Sequence, residues 1–124
     1  MPATYTIDAD LQLVTSLLVG PVTEAEIYEH NQRLRTDPSF DPAYRQLADM
    51  SAVSEVLVST GLIVDTARDQ FFNPGVPRAF VASGDAVFGM ARMFAAHAEG
   101  LGQTIKVFRQ RKEAEQWLGL DLPE

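Results

Sequence analysis

Hydroxyl and carboxylate side chains that could serve regulation or catalysis are concentrated in one stretch near the middle of the chain. Asp49 and Ser51 follow a short β-rich run at 45–48, and Ser59 and Thr60 open an amphipathic stretch that predicts a helix. Strand-to-helix corners of α/β domains often carry functional side chains, because the helix N-terminus offers unpaired N–H groups. Phosphorylation of Ser59 or Thr60 would place negative charge at that helix start and alter a binding surface.

Each of these residues also has an ordinary structural role. Serine is among the preferred helix N-cap residues, so Ser59 is expected first of all to cap the helix. Asp49 and Ser51 are expected to hold the following loop, since Asp and Ser readily bond to nearby backbone groups in turns. These structural roles are the preferred interpretation.

The sequence lacks recognisable catalytic and metal-binding patterns. His30 and His97, the only two histidines, lie on separate predicted helices without a neighbouring cluster, so each is interpreted as a surface or hydrogen-bonded histidine. The chain has no Cys, no G-x-S-x-G elbow and no glycine-rich phosphate loop. We expect no catalytic site, metal or cofactor. An enzyme with an unrecognised site would be tested first at Asp49, Ser51, Ser59 and His97.

Charge and composition disfavour several classes of partner. The 124 residues include 10 Lys and Arg against 17 Asp and Glu, a net charge of −7, whereas nucleic acids and anionic membranes attract a cationic surplus. No apolar run approaches the ~20 residues that span a bilayer, and the N-terminal MPATYTIDAD does not resemble a signal peptide. We therefore expect one cytoplasmic domain over 1–124, without nucleic-acid binding or membrane insertion.

The segments that must position these residues alternate between strand and helix. Strand patterns cover 4–7, 11–19, 45–48, 78–83 and 104–108, and helical patterns cover 24–35, a stretch from 59, a stretch from 85, and 111–118. Thr23 and Glu26 form a capping box, and Asp85 is expected to cap the third helix. The first two strands predict a hairpin, and Gly20-Pro21 is expected to end the second strand. The order ββαβαβαβα predicts an α/β domain with a single mixed, mostly parallel five-stranded sheet and about four helices.

This order and length resemble the SpoIIAA-like, or STAS-like, fold of anti-sigma-factor antagonists. The local likeness lies in A-D-M-S-A-V at 48–53 and S-T-G-L at 59–62, where antagonists carry D-L-S at a strand end and D-S-S-G at a helix start. Because a partner kinase phosphorylates the first serine of D-S-S-G in that family, the resemblance implies Ser59 as a phosphoacceptor, followed by Thr60. Val58 stands where the motif has its aspartate, and the intervening loop is one residue longer.

A broader resemblance covers nearly the whole chain. It is to bacterial proteins of unassigned function with the same fold, which share a G-M-A-R-M-F-like segment, here at 89–94, and a terminal E-A-x-x-W-L, here at 113–118. We interpret both segments as structural signatures.

The predicted third helix departs from the usual amphipathic pattern. Residues 86–96 contain a single charge, Arg92, and apolar side chains occupy almost the whole helix circumference. Its large apolar side chains are Phe88, Met90, Met93 and Phe94. They predict a homodimer contact in preference to a helix buried in its own domain, with the lip of an apolar pocket as a third interpretation. Arg78 and Arg92 are interpreted as ordinary surface residues.

These observations support three functional hypotheses. The leading one is a non-catalytic STAS-like regulatory or protein-interaction module that binds a protein partner or associates with itself. The alternative is a small carrier of a lipid or other apolar ligand, with the Phe- and Met-rich helix lining its pocket. An enzyme with an unrecognised site comes last.

Overall fold

Five strands form one sheet in the order in which they occur along the chain. The computed structural model describes residues 2–120. Its strands are β1 (Ala3–Asp8), β2 (Leu13–Thr23), β3 (Arg45–Leu57), β4 (Pro77–Val81) and β5 (Thr104–Phe108), and its helices are α1 (Glu24–Thr36), α2 (Thr60–Arg68), α3 (Asp85–Glu99) and α4 (Arg111–Trp117). β1 is antiparallel to β2, and the other neighbours are parallel. The predicted mixed sheet and element order are confirmed.

The helix starts follow local capping chemistry. The Thr23 hydroxyl accepts a hydrogen bond from the Glu26 backbone N–H, and the Glu26 carboxylate accepts one from the Thr23 N–H, which confirms the predicted capping box. At α3 the predicted cap is wrong, because Gly84 occupies the N-cap position and Asp85 is the first helical residue. Asp85 instead forms an ion pair with Arg109 at 2.7 Å. Its carboxylate also interacts favourably with the positive N-terminal end of the helix dipole.

β3 is much longer than the sequence suggests. The predicted strand at 45–48 followed by a loop is wrong, because pairing continues along β2 as far as Thr23 and Leu57. The predicted break at Gly20-Pro21 is wrong as well. Gly20 adopts a φ of +67° and the register shifts beside it, so β2 accommodates the proline at an irregularity and continues. β4 pairs with β3 only as far as Asp49, so β2 and β3 extend beyond it as a two-stranded ribbon.

The two faces of the sheet are covered differently. On one face, Ala114 of α4 and the C-cap residue Leu118 form a cluster with strand residues that include Leu47 and Val81. The other face carries the three crossover helices, as expected when right-handed connections advance in one direction. There α3 packs directly on the sheet, whereas the main packing partner of α2 is α3. The strand surface between α1 and α3 is therefore not covered by direct helix packing.

Candidate ligand-binding cavity

The incompletely covered sheet surface forms the floor of a cavity of about 150 Å³. β2, β3 and β4 supply its floor, and α1, α2 and α3 supply its walls. Its largest apolar lining side chains include Leu18, Met50, Ile63, Phe72, Phe80 and Phe94. Val58, Leu62 and Met90 also line it and are only half-buried, so the cavity reaches the surface beside α2. The arrangement offers a small apolar molecule a site with an entrance.

A row of buried polar side chains crosses the floor of the cavity. Gln46 and Arg78 occupy paired positions on neighbouring parallel strands, and Arg78 Nε donates to Gln46 Oε1 at 3.0 Å. Gln46 Nε2 donates to Ser16 Oγ at 3.2 Å, and Ser16 Oγ lies 3.0 Å from His30 Nε2. These four side chains are between 1% and 6% exposed, so their hydrogen bonds form away from solvent. In this polar row every residue contacts the next.

His30 ends the polar row as a neutral imidazole. Asn31 Oδ1 lies 2.9 Å from His30 Nδ1 and can only accept, so Nδ1 carries the proton and Nε2 accepts from the Ser16 hydroxyl. Burial lowers the pKa of His30, with the charge of Arg33 acting in the same direction and the hydrogen bond to Asn31 opposing it. The sequence-based interpretation of His30 as a hydrogen-bonded histidine is confirmed.

Arg78 is held at the other end of the polar row by amide oxygens. Nη1 donates to Gln70 Oε1 and to Gln103 Oε1, the latter at 3.0 Å, in addition to the bond from Nε to Gln46. The guanidinium lies over the Phe72 ring, 4.3 Å from its centroid. Within residues 2–120, no carboxylate forms an ion pair with Arg78. Its immediate hydrogen-bond partners are therefore all neutral.

The prediction that Arg78 is a surface residue is wrong. It is 4% exposed, because β4 is an inner strand covered on both faces and Arg78 points to the same side as Phe80. Burial lowers the pKa of Arg78 to about 9, which still leaves the guanidinium charged at neutral pH.

Asp49 and Ser51 are held by a local network outside the cavity. Asp49 Oδ1 accepts from the Ser51 backbone N–H at 2.9 Å and from its hydroxyl at 2.6 Å, and Oδ2 accepts from Arg111 Nη1 at 3.2 Å. Although desolvation by itself raises the pKa of Asp49, the bonds from Ser51 and Arg111 outweigh it and lower that pKa overall. The local bonding expected for Asp49 is confirmed, but it joins β3 to α4 instead of fixing a loop.

Ser59 and Thr60 lie far from this network along the chain. The six residue-to-residue steps of extended strand from Ser51 to Leu57 span about 20 Å. Ser59 Oγ accepts from the Leu62 N–H at 3.1 Å, which confirms the predicted N-cap role, and its own N–H donates to Glu24 Oε1 at 3.0 Å. Thr60 is the exposed first residue of α2. A phosphoacceptor role for either side chain stays a prediction.

The four large apolar side chains of α3 point in different directions. Met90 and Phe94 line the cavity, and Phe94 stacks on Phe80 with 5.5 Å between ring centroids. Phe88 lies against the Arg109 guanidinium at 4.2 Å, and Met93 is 38% exposed. The buried stripe of α3 consists instead of smaller residues, namely Val87, Ala91, Ala95 and Ala98. α3 therefore presents one side to the cavity and another to solvent.

The remaining sequence candidates form no further site. His97 is an exposed residue of α3, and residues 2–120 contain no group of three His, Cys, Asp or Glu side chains that could hold a metal ion. None of the helices in this part of the chain has the length and apolar character required to cross a bilayer.

Sequence reasoning missed the polar row. The one available signal is positional, because Gln46 and Arg78 are each the second residue of strands that the element order makes parallel. Residues at equivalent positions on neighbouring parallel strands lie side by side, so a polar pair inside the sheet could have been inferred. Ser16 and His30 offered no comparable signal.

The sheet order, the single antiparallel pair and the four helices define a SpoIIAA-like α/β fold. A similar solved structure is the crystal structure of an uncharacterized protein from the DUF3478 family with a SpoIIAA-like fold, from Shewanella loihica PV-4. The match has a TM-score of 0.57 and covers 94% of this chain and 91% of that chain at 16% sequence identity. The TM-score and the coverage establish a shared fold, and at 16% identity the likeness is one of fold alone. No protein-family model matches the chain, and no curated protein matches its sequence.

Proposed function

We propose that this SpoIIAA-like domain is a non-catalytic binding module that takes up a small, largely apolar molecule in the cavity beside α2. The observation that carries the proposal is the cavity itself, with about 150 Å³ of space, a mainly apolar lining and half-buried residues at its entrance. A closed cavity of about 150 Å³ lined by Leu, Ile and Phe binds benzene in another protein. The ligand body is therefore of the order of one aromatic ring or a short alkyl chain.

The residues around the cavity suit such a ligand. Phe72, Phe80 and Phe94 offer ring faces and edges, and Met50 and Met90 offer flexible thioethers that adapt to different shapes. Each square ångström of apolar ligand surface removed from water contributes roughly 25 cal/mol to binding. Because the lining comes from three helices and three strands, a bound molecule would connect α1 on one side of the cavity with α2 and α3 on the other.

Benzene uptake tests this proposal without assuming any polar recognition. In ¹H–¹⁵N NMR spectra, benzene should shift the amide signals of cavity residues such as Ile63 and Phe94 in the wild-type protein. Ala91→Leu places a larger side chain in the cavity and should abolish the shifts. Ala96→Leu makes the same change on the exposed side of α3 and should preserve them.

An unchanged wild-type spectrum at saturating benzene would refute the proposal, as would shifts that Ala91→Leu leaves intact. Native mass spectrometry of freshly purified protein adds an independent measurement. A small adduct that disappears under denaturing conditions would identify a natural occupant.

Self-association through the outer side of α3 is a second proposal. Its support is Met93, a large apolar side chain that keeps 38% of its surface exposed in the monomer. Sedimentation velocity should detect a dimer of the wild-type protein that Met93→Glu dissociates. A monomer at all concentrations up to the millimolar range would refute it.

A further inference from the structure

Within residues 2–120, Arg78 is a buried cation without a carboxylate partner. Charged groups in protein interiors are normally paired, since removal of an isolated ion from water is strongly unfavourable. Arg78 is 4% exposed, and its Nε and Nη1 atoms donate only to the neutral glutamines Gln46, Gln70 and Gln103. Within residues 2–120, none of the side chains that line the cavity is acidic. No carboxylate among these residues therefore balances the positive charge.

Arg78 keeps an unused hydrogen-bond donor among the described residues. Nη2 makes no hydrogen bond within residues 2–120, although the residue lines the cavity. Phe72 covers one face of the guanidinium at 4.3 Å. An anionic group in the cavity would satisfy both the unpaired donors and the unpaired charge.

The glutamines fix the position of the guanidinium before any ligand arrives. Gln46 is itself anchored to Ser16, and Gln103 Nε2 donates to the Phe72 carbonyl at 3.2 Å. Gln70 Nε2 donates to the Thr66 carbonyl at 2.6 Å. A donor that is already oriented binds its partner with little additional loss of entropy.

We infer that the cavity takes a small monocarboxylate with an apolar body, whose carboxylate oxygen accepts from Arg78 Nη2 while the body occupies the space between Phe80, Phe94 and α2. The inference rests on the proposed binding function. A single negative charge is favoured because, among residues 2–120, Arg78 is the one charged side chain in the lining, and the hydrogen bonds of His30 assign its neutral form. A dianionic phosphate would leave net negative charge buried, which is unfavourable in an apolar site.

Benzoate and benzamide form a suitable pair of probes, since they share a shape and differ in charge. Isothermal titration calorimetry at pH 7 should give benzoate an affinity for the wild-type protein about ten- to a hundredfold higher than benzamide, as expected for a charge-assisted hydrogen bond. Arg78→Met should remove this preference. Arg92→Met, which changes an exposed arginine of α3 outside the cavity, should preserve it.

The outcomes separate this inference from the proposed function. If benzene and benzamide bind in the cavity and benzoate binds no more tightly, the carboxylate inference is wrong and the apolar cavity remains. If none of the three binds, both are wrong. Retention of the benzoate preference in Arg78→Met would exclude Arg78 as the anchor.

A measurement on the wild-type protein covers the case in which Arg78→Met does not fold. Arginine side-chain Nε–Hε signals can be followed by NMR during a benzoate titration. The Arg78 signal should shift with the same dissociation constant as the amide signals of the cavity. An unchanged Arg78 signal at benzoate saturation would overturn the inference.

Discussion

A matched pair of substitutions on α3 tests whether the cavity is empty space in the folded protein. Ala91 lines the cavity and is 6% exposed, whereas Ala98 is 0% exposed and lies in the same core cluster away from the cavity. Ala91→Leu and Ala98→Leu add the same atoms to the same helix. Only at Ala91 does the structure provide room for them.

The expected free-energy changes have opposite signs. Leucine adds about three carbon groups, each worth ~0.8 kcal/mol when buried, and loses about 0.5–1 kcal/mol of side-chain entropy. Ala91→Leu should therefore stabilise the fold by roughly 1.5–2 kcal/mol. At Ala98 the added groups meet close-packed neighbours, and such overpacking typically destabilises by about 1–3 kcal/mol.

Urea unfolding followed by circular dichroism measures both changes. Equal slopes of free energy against urea for the variants would show that the denatured states are comparable. The reasoning is refuted if Ala91→Leu destabilises the protein as much as Ala98→Leu does, because the space beside α3 would then be occupied or collapsed in solution.

Three further predictions concern the other sites. Burial lowers the pKa of His30 below its ordinary 6.5, so the unfolded chain binds a proton at a higher pH than the folded protein does, and stability should fall as the pH drops below 6.5. In urea unfolding, His30→Gln should flatten this pH dependence of stability, and His97→Gln should leave it intact. Ser59→Ala should lower the unfolding free energy by about 1 kcal/mol through loss of the N-cap, whereas Ser59→Asp should retain it; equal losses in thermal denaturation would refute the capping role. Asp49→Asn should lower the unfolding free energy by about 1 kcal/mol, because it weakens the hydrogen bond to Arg111. A double-mutant cycle with Arg111→Met should detect the coupling between the two side chains, and strict additivity of the two changes would contradict the contact.

The parts of the fold that depend on neighbouring residues in sequence could be predicted. The capping box at Thr23, the cap at Ser59 and the strand at 104–108 each follow from a few adjacent residues. The alternation of strand and helix then limits the topology, because parallel strands require right-handed crossovers.

The features that depend on distant parts of the chain were missed. β3 extends to Leu57 because β2 is available to pair with it. The residues at 49–57 do not themselves indicate how far β2 extends. The burial of Arg78 depends on the inner position of β4 in the sheet. The cavity depends on α2 packing mainly against α3, which is a property of three-dimensional packing that no local pattern encodes.

The polar row explains how the fold tolerates a lone cation. Gln46 turns its oxygen toward Arg78 and its N–H toward Ser16, the Ser16 hydroxyl donates to His30, and His30 donates onward to Asn31. The side-chain dipoles are thus aligned head to tail, with every negative end facing the guanidinium, and such chains polarise one another in a low-dielectric interior. Part of the positive charge is thereby spread from the middle of the sheet to α1. A change in charge at Arg78 would be transmitted electrostatically along the row, without movement of the backbone.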